Sequence, residues 1–147
     1  MSAYRTVVVG TDGSDSSMRA VDRAAHIAGA DARLIVASAF LPHAEDARAA
    51  DALRQESYKV SGTAPIYAIL QDAKERAHAA GAKNVEERSI IGAPVDALVK
   101  LAEDEKADLL VVGNVGLSTI AGRLLGSVPA NVSRRATVDV LIVHTTS

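Results

Sequence analysis

The feature that most restricts what this chain can fold into is the run Leu109–Val112, four apolar residues set between Asp108 and Gly113. It is too short and too rich in Val and Leu for a free helix, and turn residues bound it, so it reads as a buried strand. Gly113, Gly116, Gly122 and Gly126 then fall within fourteen residues, with Asn114, Ser118 and Thr119 among them and Ser127 next after. The segment after them, VPANVSRRA, can be helical. A strand, a glycine-rich loop and a helix start are the parts of a phosphate site. Glycines let backbone N–H groups approach an anion, and the free N–H groups and dipole of a helix start favour negative charge. The two common phosphate fingerprints are absent: Arg123 follows Gly122, Ser127 follows Gly126, and no GxGxxG occurs. What is present is Gly113-x2-Gly116-x9-Gly126-Ser127. On the residues alone, the alternative is a set of glycines that only make tight turns.

Similar strands recur along the chain. Thr6–Val9 is a β-branched run ending at Gly10, as expected of a strand buried on both faces. The turn TDGSDSS offers Ser14 or Asp15 as N-cap of a helix to about Ala28, with Met18, Val21, Ala25, Ile27 and Ala28 inward and Gly29 as its stop. Arg33–Phe40 is the second strand. Leu41–Ala64 is polar, Ala-rich and weakly periodic, a long excursion carrying a short helix near Asp46–Ser57. It is either a solvated loop or a lid or partner surface. Pro65 suits the first turn of a helix to Ala80, with Ile66, Ile69, Leu70, Ala73 and Ala77 buried. Val85–Ile91 is a partly alternating third strand, which fits a sheet edge. A helix follows over Pro94–Glu105, with Val95, Leu98, Val99 and Ala102 inward. After the fourth strand and the glycine loop come a helix over about Pro129–Arg135 and a fifth strand, Asp139–His144. Strands alternating with helices predict an α/β domain, a doubly wound five-stranded parallel sheet covered on both faces, with ligands outside the carboxyl ends of the strands.

Composition removes several classes of function. A chain of 147 residues suits one domain, 1–147, able to bury about two-thirds of its unfolded surface. Charged residues at 23% and a net charge of −2 imply no basic face, so nucleic acid is not an expected partner. Aromatic residues at 3%, with no Trp, leave little for base stacking. The absence of Cys excludes disulfides and thiol catalysis and fits a reducing, cytoplasmic setting. No apolar run approaches the roughly 18 residues of a membrane span, and the N-terminus does not read as a signal peptide. His26, His43, His78 and His144 are scattered without metal-ligand spacing. No G-x-S-x-G elbow, Walker lysine or water-orienting residue is evident, so no catalytic residue is assigned and fast nucleotide hydrolysis is not expected.

The spacing G-x2-G-x9-G-[ST] after a strand resembles the nucleotide loop of the universal stress protein family, in its ATP-binding branch. The resemblance extends to VVVGTDGSDSS, RLIVASAF, IIGAPVDALVKLAEDEKADLLVVG and VDVLIVH, nearly the whole chain. It implies the adenine nucleotide alpha hydrolase-like fold with strand order 3-2-1-4-5, in which strands 1 and 4 are neighbours at the switch point. It also implies a ligand-binding role for Asp12, beside the backbone of Thr11 and Gly13. By themselves the residues allow Asp12 either to accept from a ribose or adenine group or to make an Asx turn. Ala39 matches a position lining the family's adenine pocket. Gly113, Gly116, Gly126, Ser127 and Val128 match its phosphate- and ribose-contacting positions, with Asn114 and Arg123 at variable points of the loop.

Arg123 is the only cation between Gly113 and Ser133. ATP carries roughly four negative charges and usually meets cations or a metal as well as N–H groups. This loop could hold ATP through backbone donors with Mg²⁺ on exposed phosphates, and it suits a single phosphate at least as well, so AMP and cyclic AMP stand beside ATP as ligands. The apolar stretch Val138–His144 would be an edge strand, and in the family such strands meet across a two-fold axis, so a homodimer is expected. The function implied is adenine-nucleotide binding coupled to stress signalling or nucleotide sequestration. The alternatives are a slow ATP hydrolase or phosphotransferase and a nucleotide-independent dimeric module.

Overall fold

A computed structural model describes residues 4–40, 63–114 and 127–144. The expected short helix near 46–57 and most of the glycine loop lie outside these residues. The strands are β1 (Thr6–Gly10), β2 (Arg33–Phe40), β3 (Asn84–Ile91), β4 (Leu109–Gly113) and β5 (Asp139–Val143). The helices between them are α1 (Asp15–Ala28), α2 (Thr63–Ala79), α3 (Pro94–Asp104) and α4 (Ser127–Arg135). The sheet runs β3-β2-β1-β4-β5 with every neighbouring pair parallel, the expected α/β architecture. The last helix starts at Ser127 rather than near Pro129. Pro129 then sits in the first turn, where its missing N–H leaves no intrahelical bond unmade. β5 ends at Val143, leaving His144 just outside the sheet.

The period of two along the central strands sorts their side chains into two cores. Val7, Val9, Leu34, Val36, Leu109 and Val111 pack with Val21, Ala24 and Ala25 of α1 and Leu70, Ala73 and Ala77 of α2. Val8, Ile35, Ala37, Leu110 and Val112 pack with Leu98, Leu101 and Ala102 of α3 and Val132 of α4. Val7, Val8 and Val9 are fully buried, as are Leu110, Val111 and Val112. Truncating one such side chain, Leu110→Ala, is expected to cost about 2–5 kcal/mol. Among the described residues no helix is long and apolar enough to cross a membrane.

At the amino ends of the strands the polar contacts are structural. The Asp108 carboxylate accepts the N–H groups of Arg5 at 2.8 Å and Thr6 at 3.0 Å, tying the start of β4 to the start of β1. Arg33 of β2 pairs with Glu86 of β3 and, at 2.7 Å, with Glu105 just past α3. Arg88 closes the ring, 2.7 Å from Glu86 and 3.3 Å from Glu105. Hydrogen bonds from Arg33, with those of Arg88, bring the Glu86 carboxyl from 4.5 down to about 2. Arg33 also lowers Glu105, and both carboxylates raise Arg33 further.

All four side chains keep between 22% and 37% of their exposure, so each pair contributes modestly. A carboxyl with a depressed folded pKa stabilises the protein above its unfolded pKa, and that stability disappears as pH falls through the folded value. Melting temperature should therefore fall as pH drops from about 4.5 toward about 2, and Glu86→Gln should flatten that fall. An equally steep acid profile in Glu86→Gln, followed by circular dichroism, would contradict this role.

Candidate functional site

Parallel pairing sets the site's frame. Val9 lies opposite Val111, so the turn after β1 emerges level with the end of β4. The Thr11 amide bonds the Ala37 carbonyl at 2.9 Å, and the Asn114 amide bonds the Val143 carbonyl at 2.9 Å, continuing the ladders past both strands. Thr11, Asp12 and Gly13 thus stand at the carboxyl edge of the sheet beside Gly113 and Asn114, with Ala39 two residues beyond Ala37 on β2. This is where the strand order reverses, the usual ligand position of such sheets. Asn114 Nδ2 lies 3.3 Å from His144 Nδ1, so the ends of β4 and β5 are joined there. Gly116, Arg123 and Gly126 lie outside the described residues. Ser127 and Val128 are the first two residues of α4.

The turn itself is a compact hydroxyl–carboxylate cluster. Asp12 Oδ1 accepts the Ser14 amide at 2.9 Å, an Asx turn, and the Ser17 hydroxyl at 3.0 Å. Ser14 is the N-cap of α1, its hydroxyl accepting the Ser17 amide at 3.2 Å. Thr11 Oγ1 accepts the Gly13 amide at 3.1 Å and lies 2.7 Å from Ser17 Oγ. Asp12 Oδ2 is buried and finds no hydrogen-bond partner among the described residues. A buried carboxylate oxygen left in this way is costly unless something donates to it. The Asx turn considered for Asp12 thus engages Oδ1 and leaves Oδ2 out.

Sequence reasoning passed over Ser17. The signal was present: Ser17, Val21, Ala24 and Ala28 form one helical stripe, and all are buried. A serine in a core-facing stripe needs a partner for its hydroxyl. Elsewhere, a surface cavity of about 480 Å³ between α1 and α2 reaches Gly13, with Asp15, Met18, Asp72, Glu75 and Arg76 along it. Its acidic lining suits no anion. No group of three or more His, Asp and Glu among the described residues could hold a metal ion.

This fold, with its polar turn and glycine-bearing strand end at the switch point, is a doubly wound five-stranded α/β domain. The family model described as "Universal stress protein family" matches residues 3–144. The chain belongs to the universal stress protein family. It is 86% identical over 146 residues to Universal stress protein Rv1636 of Mycobacterium tuberculosis (strain ATCC 25618 / H37Rv), covering 99% of this chain and 100% of that one. A crystal structure of a universal stress protein in complex with cAMP shares 64% identity, covers 99% of this chain and 100% of its own, and has a TM-score of 0.76. Universal stress protein UspA from Lactobacillus plantarum has the same fold at 21% identity, with a TM-score of 0.78 and 97% and 99% of the two chains covered.

Gly13 ties this turn to α2. Its φ is +87°, and a Cβ added there would lie 2.9 Å from Ile69 Cγ1. Gly13→Ala should cost about 1–2 kcal/mol from the backbone alone, and lower the melting temperature by about 2–8 °C. In an Ile69→Ala background the penalty should be smaller, because the contact is gone. Equal penalties in both backgrounds, measured by denaturant unfolding, would show that the contact with Ile69 contributes nothing.

Proposed function

We propose that this chain binds an adenine nucleotide across the carboxyl ends of β1 and β4, with cyclic AMP the favoured ligand. Its occupancy would couple to stress signalling or to nucleotide sequestration. The observation that carries the reading is Oδ2 of Asp12 at the switch point, buried and without a partner among the described residues. Asp12 would accept a donor of the ribose or adenine, beside the backbone of Thr11 and Gly13 and with Ala39 near the base. The backbone of Gly113, Asn114, Gly116, Gly126, Ser127 and Val128 would serve the phosphate and ribose, with Arg123 the loop's one charge for it.

Two facts support a monophosphate. The segment between Gly113 and Ser133 carries a single cation, and the relative at 64% identity was crystallised with cAMP. ATP, held with Mg²⁺ as the G-x2-G-x9-G-[ST] spacing would allow, is the competing ligand. The family match over 3–144 supports reading the chain as one domain, and the lack of Cys supports a reducing, cytoplasmic setting. Calorimetric titration with ATP, AMP and cyclic AMP, with and without Mg²⁺, tests the proposal. Cyclic AMP should bind tightest, and Gly126→Asp, which places a carboxylate against the phosphate, should abolish binding. A clear preference for ATP would overturn the choice of ligand, and no binding of any nucleotide would overturn the site.

A homodimer through the last strand completes the reading. Among the described residues β5 pairs only with β4, and no described strand lies on its other edge. Ile142 on it is 42% exposed, and Val140 and Leu141 are only partly covered. An apolar edge of this kind is a template for pairing. Light scattering should give about twice the 15.2 kDa chain mass, and Ile142→Asp should return it to the monomer. A monomeric wild type at micromolar concentration would contradict the dimer.

A further inference from the structure

Thr11, Ser17 and Ser38 are the buried polar residues among those described, and Ser17 is wholly enclosed. Helix α1 does not need its hydroxyl. The capping bond itself runs from the Ser17 amide to Ser14 Oγ, with the Ser14 hydroxyl also 3.2 Å from the Ser17 hydroxyl, and an alanine would fill this place in the stripe formed with Val21, Ala24 and Ala28. The hydroxyl instead sits at the centre of the turn. It accepts the Asp12 amide at 3.2 Å, lies 2.7 Å from Thr11 Oγ1, and shares its one proton between Asp12 Oδ1 and the Ser14 carbonyl, each at 3.0 Å. Asp12 is thus held at both its backbone N–H and its side chain by one buried group. With Oδ1 fixed by Ser17 and the Ser14 amide, the carboxylate cannot rotate without breaking both bonds, and only Oδ2 is left to accept.

We propose that Ser17 is a positioning residue for nucleotide recognition. It pins Asp12 so that Oδ2 alone is presented, and the site reads one N–H or O–H donor of its ligand through that oxygen. This rests on the nucleotide-binding reading above and names the residue that gives that contact its selectivity. Ser17 touches no ligand; it acts through Asp12. Asp12→Asn should reproduce its loss for a different reason. The amide oxygen keeps the bonds to Ser14 and Ser17, and an NH₂ group then faces the ligand's donor.

The test is a thermodynamic cycle between the protein and its ligand, run on the full chain. Take whichever of ATP, AMP and cyclic AMP binds tightest, and its analogues lacking one donor: the 2′-deoxy form, the 3′-deoxy form where that hydroxyl is free, and the inosine-base form. Ser17→Ala should weaken the parent nucleotide about tenfold, the size of a hydrogen bond to a charged group. One analogue, and only one, should bind wild type and variant equally, within about twofold. The others should keep the full difference. Equal weakening of every ligand would mean a general loosening of the turn and would overturn the proposal, as would no weakening at all. If Ser17→Ala does not fold, Ser17→Cys, of similar size and a weaker donor, and Asp12→Asn carry the same cycle and must single out the same analogue. Failure of wild type to bind any nucleotide would instead overturn the underlying reading, and this proposal with it.

Discussion

The parallel pairing of β1 with β4 is the contact on which the rest of the structure depends. Val7, Val8 and Val9 face Leu109, Leu110 and Val111 in register, and none of the six is more than 3% exposed. Full burial of one such side chain contributes about 1.5–3 kcal/mol. A partly exposed ion pair such as those around Arg33 contributes about 0–1 kcal/mol. The valine and leucine core therefore sets the position of the strand ends, and the charge ring at the amino edge trims it. Two short strands held this firmly bring the polar turn of one beside the glycine of the other, although nearly 100 residues separate them in sequence.

That juxtaposition divides the chemistry between two helix starts. At the start of α1 three backbone donors are already engaged. Asp12 accepts the Ser14 amide, Ser14 accepts that of Ser17, and Thr11 accepts that of Gly13. This corner has an acceptor to offer, which on the proposed reading would take the hydroxyl or amino side of a nucleotide. An anion would on that reading be served from β4 and α4, whose connecting segment carries the glycines and Arg123. On the proposed reading, a carboxylate subsite and a phosphate subsite on separate elements would avoid mutual repulsion. The acidic cavity between α1 and α2 lies on a surface where a phosphate would be repelled.

Most of the fold was legible in the sequence because burial on two faces writes short, uninterrupted apolar runs bounded by Gly or Asp. The limits of β1, α1 and β2 follow from TVVVG, the Ser14 cap and Gly29, and RLIVASAF. The start of α4 did not, because Ser127-Val128-Pro129 reads equally as loop or first turn, and only the backbone decides. The ring of Arg33, Glu86, Arg88 and Glu105 was not legible either. Two of its members are two apart on one strand, but the others are brought in by register and by the end of α3. In the site, Asp12 stood out by its place after a strand. Ser17 hid among the hydroxyls of TDGSDSS, since its importance depends on which side of α1 faces the core.

The central claim, a nucleotide bound over the carboxyl ends of β1 and β4, is tested most directly by amide chemical shifts of the labelled protein during titration with cyclic AMP. Saturable shifts are expected, centred on Thr11, Asp12, Gly13, Gly113 and Asn114, with the amides of Arg5, Thr6 and Asp108 at the far edge of the sheet unmoved. Shifts centred on any other surface, or none at saturating ligand, would contradict it.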